Sequence, residues 1–168
     1  MGLAEAGQQA AAHARCVELA VSCLAQLMIH SSSAQLELVN ARGAAALVAL
    51  LKAAAPLAHG VLSREAARAL MALSSSKLHR PTLHAEGAVQ CLAALVEGLE
   101  GVNHHELTQR YAAAALGNLA ALPDAQMVLA EAGAIPHLVR LARAHDAETQ
   151  RHAARAIGNL AANTSCQH

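Results

Sequence analysis

The chain has 168 residues, of which 55% are hydrophobic, yet phenylalanine and tryptophan are absent and Tyr111 is the only aromatic residue. Forty-four residues are alanine. A compact globular core is difficult to fill in this way, because aromatic side chains contribute large apolar areas. Closely packed helices suit alanine, which is the best helix former and lets helix axes approach. The composition therefore favours an all-α fold, and the length fits a single domain.

Charge and targeting signals exclude several classes of protein. Twelve basic residues balance twelve acidic ones, so the net charge does not indicate a polyanionic partner. The start lacks the basic flank and leucine-rich block of a signal peptide. No apolar run approaches the roughly 18 residues that a membrane span needs, and Lys52 interrupts the best candidate. We therefore expect an intracellular protein, cytoplasmic or nuclear, without a transmembrane segment.

The four cysteines fit neither a disulfide framework nor a CxxC pair. Cys16 and Cys23 lie seven residues apart, on one face of a predicted helix that runs from Met1 to about His30. We interpret them as small buried residues in a reducing compartment. Ser31 and the two serines after it end this helix and offer N-caps.

From this point the chain repeats itself. Leucine or isoleucine returns at the same place in a long helix at spacings of 46, 46 and 41, and a glycine returns after a short helix at spacings of 44 and 46. The aligned residues are Leu24, Leu70, Leu116 and Ile157, and the glycines are Gly43, Gly87 and Gly133. Periods of about 40–47 residues built from two or three helices are typical of a solenoid.

The predicted elements of the first repeat are a short helix over about 34–42, ended by a left-handed Gly43, and a middle helix over about 44–55. Pro56 and Gly60 mark a loop, and Ser63 is expected to cap the long helix that ends at about 76. The second repeat has helices over about 81–86, 88–97 and 105–121, with the loop GLEGVNHH before the last.

The third repeat opens at Pro123 and turns at Gly133. Pro136 is placed in the first turn of its middle helix, where a missing backbone N–H costs nothing. Asp146 is expected to cap the final helix. Since the first segment leaves no room for a middle helix before Leu24, it is interpreted as the last helix of an incomplete repeat.

The segment EAGAIPHLVRLARAHDAETQRHAARAIGNLAAN resembles an armadillo repeat, with GAIP at 133–136 as its most specific element. The resemblance covers the chain from about Leu24 onward and weakens toward the N-terminus. It implies a right-handed armadillo-type α-solenoid of about three repeats plus an N-terminal helix. The single domain 1–168 is then divided into 1–33, 34–80, 81–122 and 123–168.

The resemblance also implies a site, since third helices of armadillo proteins line a concave groove and contact ligands through one stripe. Positions six and two residues before the aligned Leu or Ile, and two after it, share one face. They are Glu18, Ser22, Gln26, Arg64, Arg68, Ala72, Arg110, Ala114, Asn118, Arg151, Arg155 and Asn159. Five of the ten arginines fall in this stripe, which predicts a strongly basic groove. The alternative is that these arginines are ordinary solvated helix residues.

The asparagines of the stripe match the armadillo asparagine that hydrogen-bonds the backbone of an extended peptide. An amide suits this role because it both donates and accepts. The alternative for Asn118 and Asn159 is a bond between helices inside the solenoid. Receptors for basic nuclear signals also carry tryptophans four residues earlier, where this chain has Ala114 and Arg155. A nuclear import adaptor is therefore disfavoured.

Enzymatic and metal-binding functions find little support. No Cys or His set has zinc spacing, although His104 and His105 are adjacent and His79 and His84 lie five apart. Cys91 is predicted on the inner face of a middle helix, and neither a phosphate-binding loop nor a carboxylate pair is present. No cofactor and no metal are expected.

The sequence thus predicts a non-catalytic scaffold that binds an extended, acidic or phosphorylated peptide through Arg64, Arg68, Arg110, Asn118, Arg151, Arg155 and Asn159. The alternative is a basic surface for nucleic acid or anionic phospholipid, although the aromatic residues on which single strands stack are missing. Neither end has an obvious polar capping repeat, so self-association through the ends is also expected.

Overall fold

The computed structural model describes residues 3–54, 60–97 and 106–162, and all regular structure within them is α-helical. The helices are α1 (Leu3–His30), α2 (Ser32–Asn40), α3 (Gly43–Ala54), α4 (Gly60–Ser75), α5 (Arg80–Ala85), α6 (Ala88–Glu97), α7 (Glu106–Leu119), α8 (Pro123–Glu131), α9 (Ala134–Leu141) and α10 (Ala147–Ala161). The predicted loop GLEGVNHH and Pro56 lie outside the described residues.

The helices repeat in threes after α1. The long helices α1, α4, α7 and α10, called the third helices below, form a layer in which each packs on the next. The middle helices α3, α6 and α9 pack on the third helix of their own repeat, and the short helices α2, α5 and α8 join the repeats. The prediction of an all-α repeat solenoid is confirmed. The repeat boundaries proposed from the sequence stay predictions.

Alanine and leucine build the core, as the composition predicts. In α7 the residues from Ala112 to Ala115 and the aligned Leu116 are all buried, because α4, α10 and α6 surround this helix. Methyl side chains let the third helices lie close together, while leucines fill the space toward the middle helices. The core therefore runs along the whole stack, and the single aromatic residue, Tyr111, is partly buried against it.

The turns between short and middle helices follow the glycine prediction in two repeats of three. Gly87 and Gly133 have φ of 81° and 66°, the left-handed conformation that glycine adopts at no steric cost. In the first repeat the prediction is wrong, since Arg42 takes the left-handed conformation with φ of 58°. Gly43 instead begins α3 and packs on α2, where a Cβ would lie 2.4 Å from Leu38 Cγ. Close packing, and not φ, requires this glycine.

The predicted caps have mixed outcomes. Ser31 caps α2 by accepting a hydrogen bond from the backbone N–H of Ala34 at 3.1 Å. Asp146 caps α10 through the N–H of Thr149 at 2.9 Å. Ser63 does not cap α4, because the helix already begins at Gly60 and Ser63 is buried within it.

One polar side chain in each short helix ties the repeat to the preceding third helix. In each case it donates to the carbonyl oxygen four residues after the aligned leucine. The donors are Gln35 Nε2, Arg80 Nε and Gln126 Nε2, and the acceptors are the carbonyls of Met28, Ser74 and Ala120, at 2.6, 2.8 and 2.7 Å. The donors lie 45 and 46 residues apart, the same spacings as Arg42, Gly87 and Gly133. The left-handed residues Arg42, Gly87 and Gly133 therefore align the short helices better than the three glycines do.

Helix α1 departs from two sequence-based expectations. Cys16 and Cys23 are exposed, contrary to the prediction, because in the described part of the chain α4 is the one third helix that packs on α1, and it covers one side of it. In addition, the part of α1 from Gln8 to His30 is long and apolar enough to span a membrane by length and composition alone, although Arg15 and Glu18 interrupt its apolar residues. In the fold this part packs on α4 through Val21 and Ala25.

Candidate functional site

The third-helix layer brings the predicted stripe residues of successive helices together. Arg68 Nη2 on α4 donates to the carbonyl oxygen of Ser22 on α1 at 3.0 Å, and Arg155 Nη2 on α10 donates to the carbonyl of Ala114 on α7 at 3.1 Å. Both arginines sit two residues before the aligned residue, and both reach the same position on the preceding helix. The stripe is therefore a contiguous surface across the four helices.

The two asparagines of the stripe, Asn118 and Asn159, lie one helical turn after Ala114 and Arg155. Asn118 Nδ2 donates to Ser74 Oγ on α4, and Asn159 Nδ2 donates to the carbonyl oxygen of Gly117 on α7, both at 3.0 Å. These bonds join neighbouring third helices, which is the alternative that the sequence left open. Each bond uses one amide N–H, and both side chains are only partly buried. A second N–H and the amide oxygen of each asparagine can still serve a ligand.

Carboxylates neutralise most of the stripe. Glu65 pairs with Arg64 at 3.0 Å and with Arg68 at 3.1 Å. Its side chain is 6% exposed, so the carboxylate holds both guanidinium groups against α4. A buried charge needs such partners, because desolvation would otherwise favour its neutral form. Arg64 and Arg68 are thus committed to an internal network.

The third repeat has two further ion pairs. Arg110 on α7 contacts Asp146 at 2.9 Å, which links it to the start of α10, and Arg151 pairs with Glu148 on the exposed side of α10. Hydrogen bonds from Thr149, followed by the charge of Arg110, hold the pKa of Asp146 below its usual range. Four of the five stripe arginines therefore have carboxylate partners. The expectation of a strongly basic groove is wrong, because the acidic partners lie outside the stripe positions. These partners are Glu65, Asp146 and Glu148.

Arg155 is the exception. Among the described residues it has no carboxylate within ion-pair distance. Its guanidinium donates a hydrogen bond to the neutral carbonyl of Ala114. Burial lowers the pKa of its guanidinium, and the charges of Arg80 and Arg151 lower it further. Uncompensated positive charge is therefore concentrated at this part of the face.

Positive charge gathers around three residues, which we call the cationic cluster. They are Arg80 at the start of α5, Asn118 on α7 and Arg155 on α10. Arg80 donates to the carbonyl of Ser74, whose hydroxyl accepts from Asn118. Arg155 lies over Gly117, next to Asn118, with its Nε 3.0 Å from where a Cβ of that glycine would be. The guanidinium groups of Arg80 and Arg155 thus both lie near the amide of Asn118.

Sequence reasoning missed Arg80 because it considered only the third helices, whereas Arg80 begins the short helix α5. The sequence does contain a signal for Arg80, because a long polar side chain returns at the repeat period in the short helices, as Gln35, Arg80 and Gln126. Charge reversal at Arg68 or Arg155 is expected to lower the stability of the fold, because both side chains join neighbouring third helices. Arg140 also joins two helices, since it donates to the last carbonyls of α6, those of Val96 and Glu97.

The described residues contain no group of three His, Cys, Asp or Glu side chains that could hold a metal ion. His104 and His105 lie outside these residues. Burial raises the pKa of the Cys91 thiol, with a smaller opposing effect from Lys52. A thiol of this kind is less ionised and is a poor nucleophile.

Comparison with known proteins places this geometry in context. The Armadillo/beta-catenin-like repeat family matches residues 123–162. No curated protein sequence matches the chain. Solved structures do match it. One is a designed armadillo repeat protein with 26% identity and a TM-score of 0.75, and the match covers 89% of this chain and 60% of the designed protein.

Two further designed proteins concern peptide recognition. One is described as a computationally designed armadillo repeat protein for modular peptide recognition, with 27% identity and a TM-score of 0.74. The other is a designed armadillo repeat protein in complex with the peptide (KR)4, with 27% identity and a TM-score of 0.71. Each covers 88% of this chain, which spans 59% of the length of either protein.

Proposed function

The chain belongs to the armadillo repeat family, and on that premise we propose that it is a non-catalytic scaffold that binds an extended peptide across α4, α7 and α10. The stripe carries an arginine at the same position of all three helices, namely Arg64, Arg110 and Arg151, and an asparagine at the same position of α7 and α10. Asn118 and Asn159 would bond the peptide backbone through the amide groups not used between helices.

The cationic cluster is the observation that carries the choice of ligand. Arg155 has no carboxylate partner among the described residues, and Arg80 adds a second guanidinium close to Asn118 and near enough for its charge to act on Arg155. A carboxylate or phosphate between them would supply the missing counter-charge. Guanidinium groups bind such anions through paired, charge-assisted hydrogen bonds. We therefore propose an acidic or phosphorylated peptide, with one acidic side chain at this cluster.

The rest of the peptide is constrained by the spacing of the layer. Packed helices lie about 8–10 Å apart, and an extended chain advances about 3.3 Å per residue. A second polar side chain about three residues from the first would therefore reach the next third helix. Toward α4 the arginines are already paired with Glu65, so a strong preference for acid is expected at the cluster and a weaker one elsewhere.

A titration of fluorescent peptides tests the proposal. The set contains one peptide with a single central phosphoserine, its unphosphorylated form, and a (KR)4 peptide. Arg155→Gln removes the unpaired charge, and Arg143→Gln is the matched control, because Arg143 is exposed and lies beyond the end of α9. Arg155→Gln should weaken phosphopeptide binding roughly tenfold to a hundredfold, the range of one charge-assisted hydrogen bond. Arg143→Gln should leave it unchanged.

The outcomes separate the parts of the proposal. If (KR)4 bound more tightly than the phosphopeptide, peptide binding would hold and the acidic preference would fail. If affinity fell steeply with salt for any polyanion, including single-stranded DNA and anionic vesicles, the nucleic-acid or phospholipid alternative would replace it. Saturation at one peptide per chain, with sequence preference at moderate salt, is the expected result.

We also propose that the protein works inside the cell, in the cytoplasm or nucleus. The described cysteines, Cys16, Cys23 and Cys91, are free thiols, and two of them are exposed. Exposed thiols persist where glutathione keeps them reduced. Fluorescence microscopy of a tagged full-length protein would test this assignment, and secretion into the medium would contradict it.

A further inference from the structure

The N-terminal end of the stack contains an apolar groove between α1 and α2. A pocket of about 280 Å³ opens there, lined by Leu24, Leu27, Met28, Ala34, Glu37, Leu38 and Ala41. Glu37 is the only charged residue among them. The groove lies far along the chain from the cationic cluster and plays no part in the proposed peptide binding.

Equivalent positions in the next two repeats show what this groove lacks. Leu24 is 37% exposed and Leu27 is 57% exposed. Their counterparts 46 and 92 residues later are Leu70 and Leu73 on α4 and Leu116 and Leu119 on α7, and all four are 0% exposed. The same leucines at the same place in the repeat are therefore covered in the interior and open at the end.

The covering element in the interior is the middle helix. Helix α3 packs on α4 and on α5, and α6 packs on α7 and on α8. Each middle helix thus fills the angle between a third helix and the short helix that follows it. Helices α1 and α2 form the same angle, but α1 continues straight through the residues that would have to fold back. Among the described residues, no middle helix occupies the angle between α1 and α2.

We propose that this groove, the α1–α2 seat, binds an amphipathic helix of about ten residues from a partner protein. The internal seats define the chemistry of the occupant. Alanine, leucine and valine are buried in α3 at Ala44, Leu47, Val48 and Leu51, which lie at i, i+3, i+4 and i+7. A partner helix with small and branched apolar residues at this spacing would cover Leu24 and Leu27 in the position that α3 takes on α4. This is recognition of a helix by a groove.

Nuclear magnetic resonance with methyl-labelled leucine tests the seat on the intact chain. The probe is a synthetic peptide with the sequence of residues 43–54, constrained as a helix and flanked by glutamates for solubility, because a free helix of this length is marginal in water. The methyl signals of Leu24, Leu27 and Leu38 should shift in a saturable manner. A peptide of the same composition with the apolar spacing scrambled should cause no such shift.

A matched pair of variants makes the test specific. Leu27→Lys places a charge in the seat and should weaken probe binding by at least about tenfold, while the side chain is exposed enough for the fold to persist. Leu78→Lys is the control, since Leu78 is 73% exposed and does not line the pocket. Undiminished binding to Leu27→Lys, or no shift with saturating probe, would overturn the proposal. So would a concentration-dependent shift of the same methyls without probe, which would assign the seat to a second copy.

Discussion

Helices α7 and α1 occupy the same place in the repeat but have different surroundings. Helix α7 has a third helix on each side and a middle helix behind it, and Ala112, Leu116 and Leu119 are fully buried. Helix α1 has a third helix on one side only, and Leu24 and Leu27 remain partly exposed. Burial in this fold is therefore decided by the neighbouring repeat and not by the residue, as expected for a structure built from nearest-neighbour contacts.

The largest expected effect contrasts these two helices directly. Leu116→Ala should lower the free energy of unfolding by about 2–5 kcal/mol, because it leaves a cavity in a closed core. Leu24→Ala removes the same atoms at the equivalent position, yet it should cost less than about 1.5 kcal/mol, since the side chain is partly solvated already. Urea denaturation measures both. Equal losses would mean that α1 is covered in solution.

A second contrast compares an interior ion pair with an exposed one. Glu65→Gln leaves Arg64 and Arg68 without their shared, buried carboxylate and should destabilise the fold by about 1–3 kcal/mol. Glu148→Gln breaks the pair with Arg151, whose side chain is 68% exposed, and should change stability by less than about 1 kcal/mol. Thermal melts would detect the difference. If Glu65→Gln were neutral, the network would not hold the stripe arginines.

The turns provide a third contrast. Gly133 has φ of 66° and nothing lies within 4 Å of its potential Cβ, so Gly133→Val tests backbone conformation alone. We expect a loss of more than about 1 kcal/mol. Arg42 has a similar φ of 58°, and Arg42→Gly should be neutral or stabilising by up to about 1 kcal/mol because it relieves the same strain. A thermal melt that showed no loss for Gly133→Val would contradict the turn assignment.

The smallest effect concerns acid stability. The pKa of Asp146 is lowered in the folded chain by its bonds to Thr149 and by Arg110. Its contribution is therefore complete above the ordinary aspartate value of about 3.9 and is lost as the pH falls through the lower folded pKa. Asp146→Asn keeps a capping oxygen that does not titrate. Its stability should decline less than that of the wild type between about pH 4 and pH 2, and parallel curves would contradict the assignment.

Features that depend on local sequence were predictable from the sequence. The repeat period follows from the recurrence of apolar residues, and it placed the third helices correctly. Gly87, Gly133 and Pro136 were assigned from backbone chemistry that acts within one turn. Asp146 was assigned as a cap for the same reason, since its bond spans three residues. Such interactions are complete within a short segment, so no knowledge of the neighbouring repeat is required.

Features that depend on contacts between repeats were decided only by the tertiary structure. Arg110 meets Asp146, 36 residues away, and Arg155 meets the carbonyl of Ala114, 41 residues away. Ion pairs leave a stripe expected to be strongly basic largely neutral in the described part of the chain, with uncompensated charge at the cationic cluster. The same holds for the exposure of Cys16 and Cys23. A periodic pattern specifies which face of a helix is apolar, but the packing of adjacent repeats determines what covers that face and which charges remain free.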